Sequence, residues 1–223
     1  MDDPYFRPKD ASMQFRLTYE GTLLSNGNSQ HKHEIRKTFH PQLRRLWEIT
    51  PSLKEMRFPP LDVVQINRGP DMSRVNYLAE QFSRNNYRFV PLVTRDLDLS
   101  FCGLDILFLR PDAPGAVLSK SDIDNRLKTL FDALRMPEGK AELGGYDSPL
   151  DDEIPFFCLL EDDALVTKVS VETDFLLESV GKDFDRNDTR LFITVTIQPA
   201  ILRFDLRFTE HNFAGRQHKP IKL

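Results

Sequence analysis

Four aspartates and one lysine carry the most specific chemistry in this sequence: Asp122, Asp124, Asp162, Asp163 and Lys128. They lie in two short elements. The first runs Ser121-Asp122-Ile123-Asp124-Asn125-Arg126-Leu127-Lys128, and the second Leu160-Glu161-Asp162-Asp163-Ala164-Leu165-Val166. Carboxylate oxygens suit a hard cation, and Mg²⁺ keeps several of its waters, so few protein ligands suffice. A bound divalent ion lowers the pKa of a water and polarises a phosphodiester, and a pair of ions stabilises both the attacking and the leaving oxygen. An ammonium such as Lys128 then stabilises developing negative charge or orients the nucleophile. The expected metal ligands are therefore Asp122, Asp124, Asp162 and Asp163, with Mg²⁺ as the ion and Mn²⁺ as its substitute.

Such a set works only if the chain gathers it. The apolar residues Ile123, Leu127, Leu130, Phe131 and Leu134 cluster on one face of a helix, which predicts a helix over 122–135. Ser121 or Asp122 caps its start, where free N–H groups favour an anion. Asp124 and Lys128 stand at i and i+4 on the rim of the apolar face, and Asp132 continues the row. Read as plain structure, this is a capped amphipathic helix whose Asp124–Lys128 pair contributes about 0.3–0.5 kcal/mol. Asp132 either holds Lys128 or is a solvated helix residue, and the second reading is favoured. Asp162 and Asp163 precede the predicted strand 164–175, where acids alone usually mark a turn. Two acidic pairs, each at the mouth of an element, are what a hard-cation site requires.

The remaining elements are predicted from periodicity. Met13, Phe15, Leu17 and Tyr19 alternate as one face of a strand. Residues 25–29 form a turn, and 32–49 are helical, with Pro41 expected to start a second helix and Pro51 to end it. Further strands are expected over 61–67, 87–95, 98–110, 190–198 and 201–208, and a helix over 75–84. Residues 87–110 read as a hairpin-like pair closed by Pro111 and Pro114, and 136–158 as a long Gly/Pro-rich loop. The domain plan is a loose arm over 1–12, one α+β domain over 13–208 and a polar tail over 209–223, with too few regular crossovers for a doubly wound sheet.

The pattern Asp-x-Asp-Asn-x-x-Lys-x-x-x-Asp-Ala-Leu at 122–134, followed by Leu-x-Asp-Asp-Ala-x-Val-x at 160–167, resembles the RusA family of Holliday-junction resolvases. The resemblance implies a homodimeric, Mg²⁺-dependent endodeoxyribonuclease acting on branched DNA. It implies a mixed β-sheet with flanking helices, here carrying an N-terminal extension and a long inserted loop. It assigns metal binding to Asp122, Asp124 and Asp163, makes Asp162 their neighbour, and gives Lys128 an assisting role in catalysis. Family members are usually short and basic. This chain is longer, and its 136–158 segment is acidic, so that segment would repel DNA unless it folds away or acts as a gate.

DNA contacts are expected from Lys32, Arg36, Lys37, Arg44 and Arg45 on the first helix, and from Lys120, Arg126 and Arg135 flanking the acidic motif. Such cations neutralise phosphates and make binding salt-dependent. Tail residues Arg216, Lys219 and Lys222 add to the list. His31 and His33 alternate as metal ligands do, but no further ligand lies near them in sequence. Phe15, Phe39, Phe82 and Phe101 are wedges between bases or, the commoner role, core. The net charge of −4 argues weakly against a simple, wholly basic DNA-binding protein without excluding nucleic acid, and two divalent ions would cancel it. No apolar run is long enough to span a membrane, the acidic start lacks a signal-peptide pattern, and Cys102 and Cys158 have no paired spacing. The expected location is the cytoplasm, with no membrane partner.

Overall fold

A computed structural model describes residues 12–54, 57–58, 72–95, 100–111, 122–178, 180 and 185–199. The fold is α+β, with mixed sheets flanked by helices. Strand β1 (Met13–Thr22) alternates as expected, with Leu17 and Tyr19 buried and Arg16, Thr18 and Glu20 exposed. It pairs antiparallel with β9 (Asp188–Pro199), which pairs antiparallel with β6 (Ser100–Arg110). Strand β8 (Val166–Phe175) lies parallel to the other side of β6 and completes the order β1-β9-β6-β8. Leu104, Ile106 and Phe108 of β6 and Leu191, Ile193 and Val195 of β9 fill the core face.

Helix α1 (Ser29–Ile49) is one continuous rod and packs on β1. The second helix expected at Pro41 does not form. Proline removes one ladder hydrogen bond, but tertiary bonds hold the rod around the gap. His40 bonds the Asp152 carbonyl and the Phe157 N–H, and Gln42 bonds the Thr18 carbonyl of β1. Asn28 caps the start by accepting from the His31 N–H at 2.9 Å. A short helix α2 (Pro51–Lys54) follows.

Beyond it come a small ribbon of β2 (Arg57–Phe58) and β3 (Met72–Ser73), then helix α3 (Arg74–Gln81) and β4 (Ser83–Arg84). Strand β5 (Tyr87–Val93) pairs with β4 and, in parallel, with β7 (Phe156–Leu160). The expected hairpin of 87–95 with 98–110 is therefore wrong: β5 and β6 belong to different sheets. Every residue of β7 is buried, as befits a strand covered on both faces. Helix α4 spans Asp122–Leu134, and its end is bridged to β7 by the Met136 N–H to the Leu160 carbonyl.

The expected loop 136–158 is an ordered insert ending in β7. Two 3₁₀ turns, Lys140–Leu143 and Asp151–Glu153, fold it against α1. Gly144 has φ +62°, and a Cβ there would meet the backbone of Gln30 at 2.2–2.3 Å, so the insert's backbone lies directly on that of α1. Glu153 pairs with Lys37 at 2.7 Å, and Tyr146 donates to Glu34. The acidic segment thus folds away, as one of the two expectations required. The arm before residue 12, the strands 61–67 and 201–208, Pro114, Lys120, Ser121 and the tail lie outside the described residues.

Candidate metal and nucleic-acid site

Helix α4 decides what is available. At about 100° per residue, Arg126 lies roughly 200° from both Asp124 and Lys128, so when one side faces the core the other faces water. Arg126 is 2% exposed; its guanidinium donates to the Leu23 carbonyl and, at 2.8 Å, to Asn187 Oδ1. Thr129, also buried, accepts from the Gly27 N–H at 3.0 Å. These bonds turn Asp124 and Lys128 outward, where both are exposed. Among the described residues neither forms a hydrogen bond or an ion pair, so the i,i+4 pair of the structural reading is not made. The backbone of Asp122 begins the helix, and its side chain lies outside the described residues.

The second acidic element forms the connection between β7 and β8. Asp162 Oδ1 accepts from the Ala164 N–H at 2.8 Å and caps a 3₁₀ turn, Asp163–Leu165. Its other oxygen pairs with Arg95 Nη2 at 2.7 Å. The Ala164 N–H holds the Asp162 carboxyl below its ordinary pKa against the opposing effect of burial, with Arg95 and the Asp163 side chain adding to the lowering. Asp162 therefore has both oxygens engaged by protein, which makes it a cap and ion-pair partner in this structure. Asp163 is exposed, and the Cα atoms of its turn approach within 8 Å of α4. The turn that bears Asp163 thus packs against α4.

Among the described residues, no three His, Cys, Asp or Glu side chains gather tightly enough to hold an ion by themselves. Asp124, Asp162 and Asp163 are therefore not drawn together as a three-carboxylate set, and the side chain of Asp122 lies outside the described residues. Asp124 and Asp163 each present an exposed carboxylate, the donor type that a hard cation retaining its water takes.

The described cations of the expected basic face are engaged by intramolecular partners. Arg36 is 2% exposed and caps the C-terminal end of α4, donating to the Asp132 carbonyl at 2.7 Å and the Arg135 carbonyl at 2.9 Å. Those carbonyls have no intrahelical partner, and a cation there also suits the helix dipole. Arg135 is 8% exposed and bonds both oxygens of Glu142, at 2.8 and 2.9 Å. Burial opposes ionisation of Glu142, but the Arg135 bonds outweigh it and hold its carboxyl below the ordinary range. Arg36, Arg126 and Arg135 are consequently corrected from DNA contacts to structural clamps. Lys32 pairs with Asp132 at 2.7 Å, Lys37 with Glu153, Arg44 with the Asp152 carbonyl and Arg45 with Glu48. Asp132 neither holds Lys128 nor stands in solvent; it joins α1 to α4.

The histidine pair is no metal site among the described residues. His31 Nε2 accepts from the Leu24 N–H, and His33 is fully buried, accepting from Arg36 through Nδ1 at 3.0 Å and packed among Tyr87, Tyr146 and Phe156. Burial, then the charges of Arg36 and Lys37, push its pKa down to about 3. Phe39 and Phe82 are core, while Phe15 and Phe101 are only partly buried.

Comparison of the chain with family models, with curated proteins and with solved structures finds no match. The functional reading rests on the site itself and on the motif resemblance. Sequence reasoning passed over Arg95, whose role depends on two strands meeting in space. It also put Arg126 with the wrong group, although its angular position opposite Asp124 was there to be read.

Proposed function

We propose that the chain is a Mg²⁺-dependent endodeoxyribonuclease that cuts branched DNA such as four-way junctions, with a RusA-like fold and active site. One observation carries the reading: Asp124 and Lys128 stand exposed and without side-chain partners on α4, the helix against which the turn bearing Asp163 packs. Charged side chains with no structural partner, presented on a helix riveted from its other side, are arranged for a ligand. Asp122, Asp124 and Asp163 would hold the ion, with Mn²⁺ able to replace Mg²⁺. When bound, the ion supplies an activated water and polarises the phosphodiester. Lys128 would supply an ammonium that stabilises the negative charge growing on a phosphate oxygen in the transition state. Two copies of the chain would present two such sites to a junction with two-fold symmetry.

No described helix is long and apolar enough to cross a membrane. Cys102 and Cys158 are free and buried, with burial pushing both thiols up to about 12. Such inert thiols are compatible with a reducing compartment, and cytoplasmic work on DNA is part of this proposal.

A second reading keeps the chemistry and changes the DNA. The commitment of the α1 cations to intramolecular partners favours it, because a junction needs a broad basic surface. Incubating the purified protein with labelled four-way junction, flap, single strand and linear duplex, with and without Mg²⁺, tests both. Paired nicks confined to the junction are expected. Metal-dependent cutting of another substrate alone selects the second reading, and no cutting of any substrate in Mg²⁺ or Mn²⁺ overturns both.

A further inference from the structure

We infer that the free edge of β8 is where two copies of the chain pair, strand against strand, whether or not the nuclease reading holds. Among the described residues β8 pairs with β6 alone and closes one side of the sheet β1-β9-β6-β8. Along its other side the N–H and C=O groups have no strand partner, which makes that edge a template for a further strand. The register on β6 sorts the side chains of β8. Val169 and Val171 stand beside Leu104 and Ile106 on the core face, while Lys168, Ser170 and Glu172 stand beside Gly103, Asp105 and Leu107 on the outer face. Leu104 and Ile106 are buried, yet Val169 is 44% exposed, and Phe175, farther along the same face, is 46% exposed. The core covers β6 and leaves the apolar side of β8 open.

The order of residues along β8 selects a second copy as the occupant. In an antiparallel pair about a two-fold axis, residue i of one copy faces residue j of the other, and j faces i. With the axis at Ser170, Lys168 of one copy faces Glu172 of the other, twice, on the outer face. Val169 faces Val171, twice, on the core face, and Thr167 faces Thr173. Opposite charges and β-branched side chains set directly across a pair stabilise it, and like charges there destabilise it. Lys168 Nζ lies 2.8 Å from Asp105 Oδ1 and its side chain is 65% exposed, so a second carboxylate can reach it without displacing the first. Glu172 is exposed and has no side-chain partner among the described residues. A lysine on an edge can serve only to repel other strands. Here it is matched by an acid four residues on, so an unrelated strand meets unpaired charge and a copy of β8 meets its complement. Pairing of this kind joins the two sheets into one, with the two β8 strands at its centre.

The test is the oligomeric state of the full chain, followed by analytical ultracentrifugation over a range of concentrations. Wild type should form a dimer whose share rises with concentration. Glu172→Lys sets lysine against lysine at both pairs and should raise the dimer dissociation constant about 10-fold or more, with the circular dichroism spectrum unchanged. Adding Lys168→Glu to it restores opposite charges and should recover the dimer, which a variant weakened by misfolding would not do. Ser170→Cys, at the axis, should form a disulfide between copies on mild oxidation, because facing Cα atoms about 4.5–5.5 Å apart lie within disulfide range. The native Cys102 and Cys158 are buried and do not compete. Val171→Cys should not cross-link, since its two copies would be diagonal neighbours about 7–8 Å apart. A wild type that stays monomeric at every concentration overturns the inference. So does a dimer that Glu172→Lys leaves intact, or cross-linking through Val171→Cys in place of Ser170→Cys. The nuclease reading fails separately: a monomer that cuts DNA overturns the pairing alone, and a dimer that cuts no DNA overturns the nuclease alone.

Discussion

The two ends of α4 treat charge in opposite ways. At the C-terminal end Asp132 and the adjoining Arg135 are largely buried, and their partners come from α1 and the insert: Lys32, Arg36 and Glu142. Nearer the N-terminal end Asp124 and Lys128 have the same chemistry, a favourable i,i+4 spacing and no partner at all among the described residues. Burial explains the first end, since a charge removed from water must be paired and hydrogen-bonded. Nothing in the folding of the described chain explains the second. Within one helix, the charges the fold consumes can be separated from those it leaves for something else.

Substitutions at the two ends should therefore split stability from activity. The largest effect belongs to Asp124→Asn. On the proposed nuclease reading, Asp124 is a ligand of a metal that contributes several kcal/mol to transition-state stabilisation, and its loss predicts a fall of about 10³-fold in cleavage rate. The melting temperature should not move. A comparable drop in melting temperature would place Asp124 with the structural charges and erase the contrast.

Arg36→Met should do the reverse. It orphans two buried carbonyls at the end of α4, at about 1–3 kcal/mol each. Urea unfolding should show the loss, while the metal concentration for half-maximal cleavage stays unchanged in the protein that remains folded.

Acid should attack the same end. His33 is held neutral, with a folded pKa near 3 against an ordinary 6.5. The unfolded chain binds this proton first, so stability is complete above about pH 6.5 and falls as pH drops toward 3, by about 1.4 kcal/mol per unit. His40, also depressed chiefly by burial, adds to the slope in the same direction. His33→Gln keeps an acceptor for Arg36 and does not titrate; its urea midpoint should vary less with pH over that window than wild type's.

Lys32→Ala is the smallest of the set. Its bridge to Asp132 is partly exposed, and Asp132 retains Arg135, so a loss of no more than about 1 kcal/mol is expected by thermal melting. A much larger loss would show that the bridge is the main link between α1 and α4.

Local periodicity made much of this legible. The alternation of Met13 to Tyr19 and the apolar stripe of α4 depend on side chains a few residues apart, and both elements formed where expected. Pairing was not legible, because it depends on residues far apart. Strands β5 and β6 looked like a hairpin, yet the crossover through α4 and the insert gives β5 a parallel partner 60-odd residues on. Within the candidate site, Asp124, Lys128 and Asp163 were chosen by type and spacing, and all three are exposed. The basic candidates were judged by charge alone. Whether an arginine binds DNA or caps a helix depends on which carbonyls end beside it, and Arg36 meets those of α4 only in the folded chain.

The buried guanidinium of Arg126 has one more consequence. With Leu23 and Asn187 gripping it on the inward side, α4 cannot roll about its own axis, and the azimuth of Asp124 and Lys128 is settled before any ligand arrives. Only their own torsions are left to adjust, and exposed side chains hop between rotamers in picoseconds to nanoseconds. Ligand capture on this face should then proceed as a single kinetic phase at the rate of encounter, with no slower isomerisation behind it.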